Sequence, residues 1–96
     1  MEAWTDMVPA KTHRIDIYTA EAVKFIESYR EEPMFIHFSP YLVHGPITAV
    51  PEYIENFRGL DLNPAYYSMV EKLDAAIGIL LQALEDQGLS EKTLVV

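Results

Sequence analysis

The residues best suited to chemistry are the histidines, and of the three in the chain His44 has the most suggestive setting. It stands between Val43 and Gly45-Pro46, in a loop that leaves the apolar run Met34 to Ser39. An imidazole there can donate to an anionic oxygen, ligate a metal, or move a proton near neutral pH. Gly45 lets a ligand come close to the backbone, and Pro46 restricts the chain that follows. The same residues equally suit a solvated, turn-stabilising histidine, and spacing alone does not separate the two. His37 alternates with Ile36 and Phe38 and reads as a partly buried structural histidine, while His13 falls in irregular sequence and reads as exposed. Ser39-Pro40 lacks the glycines of a nucleophile elbow. Glu31-Glu32 and Glu85-Asp86 fall at helix C-terminal ends, where the macrodipole does not favour them, and read as solvated. Lys24 and Lys72 read as polar-face residues paired within their own helices, with Glu21, Glu27 or Ser28 and with Glu71 or Asp74. Tyr66-Tyr67 and the stripe through Met69 read as core.

The elements that would position these groups come from a chain of 96 residues, which allows one small domain or a piece of a larger one. Half the residues are hydrophobic and 23% are charged, a globular composition. Lys and Arg number 7 against 15 Asp and Glu, a net charge of −8. No basic run supplies the field that a nucleic acid or an anionic membrane surface needs, so no nucleic-acid partner is expected. Any anionic substrate must be held by local cations or a metal ion. With no cysteine, a disulfide, a zinc-thiolate site and a cysteine nucleophile are excluded within these residues. No apolar run approaches the ~18 residues of a membrane span.

Periodicity predicts a helix over 19–31, with Thr19 as N-cap and Ala22, Val23, Phe25, Ile26 and Tyr29 on one face. Pro33 ends it. Residues 34–39 are short, apolar on both faces and bounded by prolines, which predicts a buried parallel strand. Pro51 opens a short helix over 51–57, and Arg58-Gly59 is a turn. The clearest element is a long helix over 64–87. Asn63 is its N-cap, Pro64 its first residue, and Gly88 its left-handed stop, with Leu89 folding back onto Leu84. Tyr66, Met69, Val70, Leu73, Ile77, Leu80, Leu81 and Leu84 form its apolar stripe. A second buried strand is expected over 93–96. Strand, helix, strand is a parallel crossover unit of an α/β fold. Two such strands are no viable sheet by themselves, so residues 1–96 read as an internal segment of a larger domain.

Taken together, Pro33 to Ser39, His44-Gly45-Pro46 and Val50-Pro51-Glu52-Tyr53 resemble the middle of a type I sulfatase. Within that family the likeness is to the arylsulfatase B (N-acetylgalactosamine-4-sulfatase-like) group. Tyr66 to Gly78 is similar to the family's long helix, and Gly88-Leu89 with Thr93 to Val96 to the turn and strand after it. The resemblance implies a fragment of an alkaline-phosphatase-like α/β sandwich and hydrolysis of sulfate esters. It implies a formylglycine nucleophile and a calcium cofactor, both supplied by regions outside these residues. It places His44 among the residues that contact the sulfate. It implies a sulfated small molecule or carbohydrate as substrate, and a secreted, periplasmic or lysosomal setting. The isolated chain is expected to be inactive. Two other readings stand beside it. One is a phosphodiesterase or phosphonate hydrolase of the same superfamily. The other is a non-catalytic module that presents the long helix to a partner.

Overall fold

The computed structural model describes residues 13–44, 49–60 and 63–96. Helix α1 spans Arg14–Ser28, α2 spans Pro64–Asp86, and single 3₁₀ turns lie at Ile54–Phe57 and Ser90–Lys92.

Helix α1 begins five residues before the expected Thr19. Its N-cap is His13, whose Nδ1 accepts from the backbone N–H of Ile15 at 3.2 Å. Histidine is not among the favoured capping residues, which is why the boundary was illegible. Thr19 is instead buried inside the helix, its hydroxyl donating to the Ile15 carbonyl at 2.6 Å. The buried face of α1 carries Ile15, Thr19 and Ile26. Phe25 and Tyr29, expected on that face, are exposed and lie against each other with ring centres 4.7 Å apart. The helix stops at Ser28, before the expected 31, and the Arg30 guanidinium donates to the free carbonyl of Glu27 at 2.7 Å.

Helix α2 follows the sequence closely. The Asn63 side chain accepts from the N–H of Tyr66, and Pro64 occupies the first turn, where its missing donor costs nothing. At the other end Gly88 has φ +71°. Gly88 N–H donates to the Glu85 carbonyl at 2.9 Å and Leu89 N–H to that of Leu84 at 2.8 Å, the paired bonds of a Schellman stop. Leu89 packs onto the cluster that contains Leu84.

The helices pack side by side in the same sense. Ile15, near the start of α1, shares a cluster with Met69 and Ala76 of α2, and Ile26, near its end, shares one with Ala83 and Leu84. Two helices lying this way require the chain between them to run back along the pair. Close approach selects small residues, so α2 turns Ala76 and Ala83 inward along with Met69 and Lys72. Tyr66, Val70, Ile77 and Leu81 of the expected core stripe lie on the outer face and are exposed.

Neither expected strand forms a ladder among the described residues. Residues 34–39 are irregular, and Phe35 is 89% exposed rather than buried on both faces. Residues 93–96 are likewise irregular, with Leu94 88% exposed. A strand exists by pairing its backbone with a neighbour, and among the described residues no second strand adjoins either segment. Phe38 alone of the first run packs on the core. The expected helix 51–57 is shorter as well. Val50 accepts from the N–H groups of Tyr53 and Ile54, and only Ile54–Phe57 continues as a 3₁₀ turn. Gly59 closes it with φ +82°, as Arg58-Gly59 predicted.

Candidate functional site

His44 is exposed, and the residues before it are not: Leu42 is buried in the larger core cluster and Val43 packs against it. The side chain therefore projects from a backbone that is pinned by its own neighbours. The His44 ring lies 5.1 Å from that of Tyr41, tilted by 40°. On the same Tyr41 ring sits the Arg14 guanidinium, its Cζ 5.8 Å from the ring centre, within cation–π range. Arg14 opens α1, where a positive charge opposes the helix dipole. Neither Arg14 nor Tyr41 stands out by spacing, because α1 and the loop meet only in the fold. Gly45 and Pro46 lie outside the described residues.

Beside this corner is a buried ionic group. Lys72 is 9% exposed, and its Nζ lies 2.8 Å from Asp16 Oδ1 of α1 and 2.8 Å from Glu52 Oε1. The expected pairing within α2 does not form; Glu71 instead accepts from the Asn56 side-chain amide at 3.2 and 3.0 Å. Burial would lower the Lys72 pKa, but the hydrogen bonds it donates to Asp16 and Glu52, and then their charges, outweigh it and raise the value above that of an ordinary lysine. His13 adjoins the same group. Its pKa lies below the ordinary histidine value, first because of burial, with Lys72 adding to the effect and Asp16 and Glu52 opposing it. An Nδ1 that accepts from Ile15 must be unprotonated, which agrees with that direction.

The other sequence candidates stand apart. His37 is exposed, contrary to the structural reading, and its Nε2 lies 3.3 Å from the Ser39 hydroxyl. Residues 37 and 39 share a side of an irregular segment, which accounts for the contact. His13 is a capping residue, half-buried rather than exposed. Lys24 pairs with Glu21 at 3.4 Å as expected. Of the expected tyrosine core, Tyr67 is half-buried against Phe57, while Tyr66 is exposed. A shallow groove of about 210 Å³ lies between the C-terminal halves of the helices, lined by Val23, Glu27, Ile79, Ala83 and Asp86 among others. It is smaller than an ordinary ligand site and lies at the opposite end of α1 from the His44 loop. Among the described residues no group of three or more His, Asp or Glu could hold a metal ion, so a calcium site finds no ligand set there. No helix among them is long and apolar enough to cross a membrane.

The exposed imidazole thus lies against an aromatic ring that also carries a guanidinium. Comparison with known proteins gives the chain a family. The family model described as Sulfatase matches residues 3–96. The chain is 32% identical to human (Homo sapiens) arylsulfatase H over 88 residues, 91% of this chain and 15% of that protein. It is 31% identical to mouse (Mus musculus) N-acetylgalactosamine-6-sulfatase over 81 residues, 82% of this chain and 15% of that one. It is 37% identical to rat (Rattus norvegicus) steryl-sulfatase over 76 residues, 79% of this chain and 12% of that one. The chain belongs to the sulfatase family. It spans between 12% and 15% of the length of these relatives.

Proposed function

We propose that residues 1–96 are an internal segment of a sulfatase catalytic domain and that His44 is their contribution to the hydrolysis of a sulfate ester. The observation that carries this reading is the sulfatase match over residues 3–96 joined to the exposed setting of His44. The alkaline-phosphatase-like α/β sandwich is the fold that goes with it. Parallel helices joined by a returning segment fit one face of such a sandwich, and the unpaired apolar residues Phe35 and Leu94 fit strands whose neighbours lie elsewhere in the domain.

A sulfate ester carries one negative charge spread over its non-bridging oxygens. Hydrolysis breaks the bond between sulfur and the bridging oxygen, and charge moves toward the leaving oxygen. A group that donates to the sulfate and is already in place stabilises that distribution without reorganising. An imidazole N–H at His44 is such a donor. The Tyr41 ring limits where the imidazole can turn, and Arg14, over that same ring, adds positive potential nearby. The attacking oxygen is assigned to a formylglycine hydrate and further charge neutralisation to calcium, both from outside these residues. The relatives' names include aryl, N-acetylgalactosamine-6- and steryl sulfates, so the substrate class is a sulfate monoester.

The test is turnover of a chromogenic aryl sulfate by the full polypeptide as its gene encodes it. Release of the phenol with inorganic sulfate supports the reading. Release of the phenol from a matched aryl phosphodiester, leaving a phosphate monoester, with no action on the sulfate, contradicts it.

A further inference from the structure

We propose that Ser68 and Lys72 of α2 are positioning residues that fix the loop carrying His44. The inference rests on the reading of His44 as a sulfate contact.

Leu42 and Val50 flank His44 on either side, and both are buried in one cluster with Ile15, Met69 and Ala76. The loop therefore leaves and re-enters the same core. Apolar contacts alone are non-directional and would let the returning strand of chain slide. Two polar contacts remove that freedom. Ser68 is fully buried, and its oxygen accepts from the backbone N–H of Val50 at 2.9 Å. Its single proton goes to the Ala65 carbonyl at 2.6 Å. A hydroxyl has one donor and two acceptor sites, so satisfying its own helix leaves it free to receive the incoming chain.

One turn further along α2, Lys72 holds Glu52, two residues beyond Val50, and at the same time Asp16 in the first turn of α1. The same first turn carries Arg14, which lies over the Tyr41 ring that backs His44. One ammonium thus joins the exit of the loop to the element packed beside its entrance. An apolar side chain of similar length would fill this position without the cost of desolvating a charge. What the lysine adds is direction: its two bonds fix the separation of α1 and residue 52.

The experiment uses the full polypeptide as its gene encodes it, with Ser68→Ala, Lys72→Met, Lys72→Arg and His44→Ala. Three quantities are read: the His44 ring resonances by NMR, the hydrogen exchange of the Val50 amide, and kcat and KM on an aryl sulfate. Ser68→Ala and Lys72→Met are expected to shift or broaden the His44 ring signals and to speed Val50 exchange. They are also expected to lower kcat/KM roughly ten- to hundredfold, as a displaced binding group does. Lys72→Arg, which keeps the charge, recovers most of that loss. In the His44→Ala background Lys72→Met adds no further loss, because its effect passes through His44. Ser68→Ala removes one oxygen and serves as an independent second variant should Lys72→Met unfold. Unmoved His44 signals in both variants would overturn the proposal, as would an equal loss of turnover with and without His44. If His44→Ala itself leaves turnover unchanged, the sulfate contact fails, and the ring signals still decide the positioning.

Discussion

Lys72 and Asp16 meet at 2.8 Å across the interface of α2 and α1, the lysine nearly buried and the carboxylate half exposed. That asymmetry sets what the ion pair is worth. Truncating the lysine strands no buried charge, because the Asp16 and Glu52 side chains keep 48% and 55% of their exposure and return to water. Lys72→Met should therefore cost only about 1 kcal/mol in urea unfolding, near the upper range for exposed pairs. A loss of several kcal/mol would show that the carboxylates are sealed from solvent.

The alkaline limb of stability follows from the same group. The folded pKa of Lys72 lies above the unfolded one, so the fold favours the charged form. Its contribution is complete below the ordinary lysine value of about 10.4 and is lost as pH rises through the folded value. Melting temperature should fall more steeply above that pH in the natural sequence than in Lys72→Met. Parallel alkaline curves would contradict this.

At the acid side the titrating group is His13. Burial holds its folded pKa below the ordinary value, so the unfolded chain binds the extra proton first. The stability it confers is therefore complete above about pH 6.5 and is lost as pH falls through the folded value. The structural event is loss of the bond from the Ile15 N–H to Nδ1. His13→Asn keeps a capping oxygen that does not titrate there. It should remove the part of the stability loss between pH 8 and pH 5 that comes from protonation of His13. Urea midpoints across that range provide the measurement, and equal slopes for both proteins would count against the cap.

Two glycines of α2 and its stop predict opposite signs. Gly88 has φ +71°, so Gly88→Ala strains the backbone and should destabilise by roughly 1–2 kcal/mol. Gly78 lies mid-helix, and a methyl group there would meet nothing within 4 Å. No neighbour packs against Gly78 among the described residues. In this chain Gly78→Ala should stabilise by about 1 kcal/mol. Thermal melts of the two variants give the test, and a destabilised Gly78→Ala would reveal a surface packed against it.

What could be read in advance follows the range of the interactions. Asn63, Pro64, Gly88 and Leu89 act within one turn of the helix they bound, and α2 matches the sequence at both ends. The start of α1 was missed because its cap is a histidine, outside the usual set. Lys72 was misplaced because Asp16 and Glu52 reach it only after two helices and a loop assemble. The segments 34–39 and 93–96 have strand composition, but pairing is not a property of one segment, and Phe35 and Leu94 stay exposed. Around His44, the candidate named from the sequence, Tyr41 and Arg14 enter only through three-dimensional proximity.

The most direct measurement is kcat/KM on a sulfate ester for the full polypeptide with and without the His44 imidazole. His44→Ala should lower it by about a hundredfold or more, the usual cost of removing a donor to a developing oxyanion. Circular dichroism should be unchanged, because an exposed side chain carries little core packing. Equal kinetics for the two proteins would remove His44 from the site and contradict the proposed function.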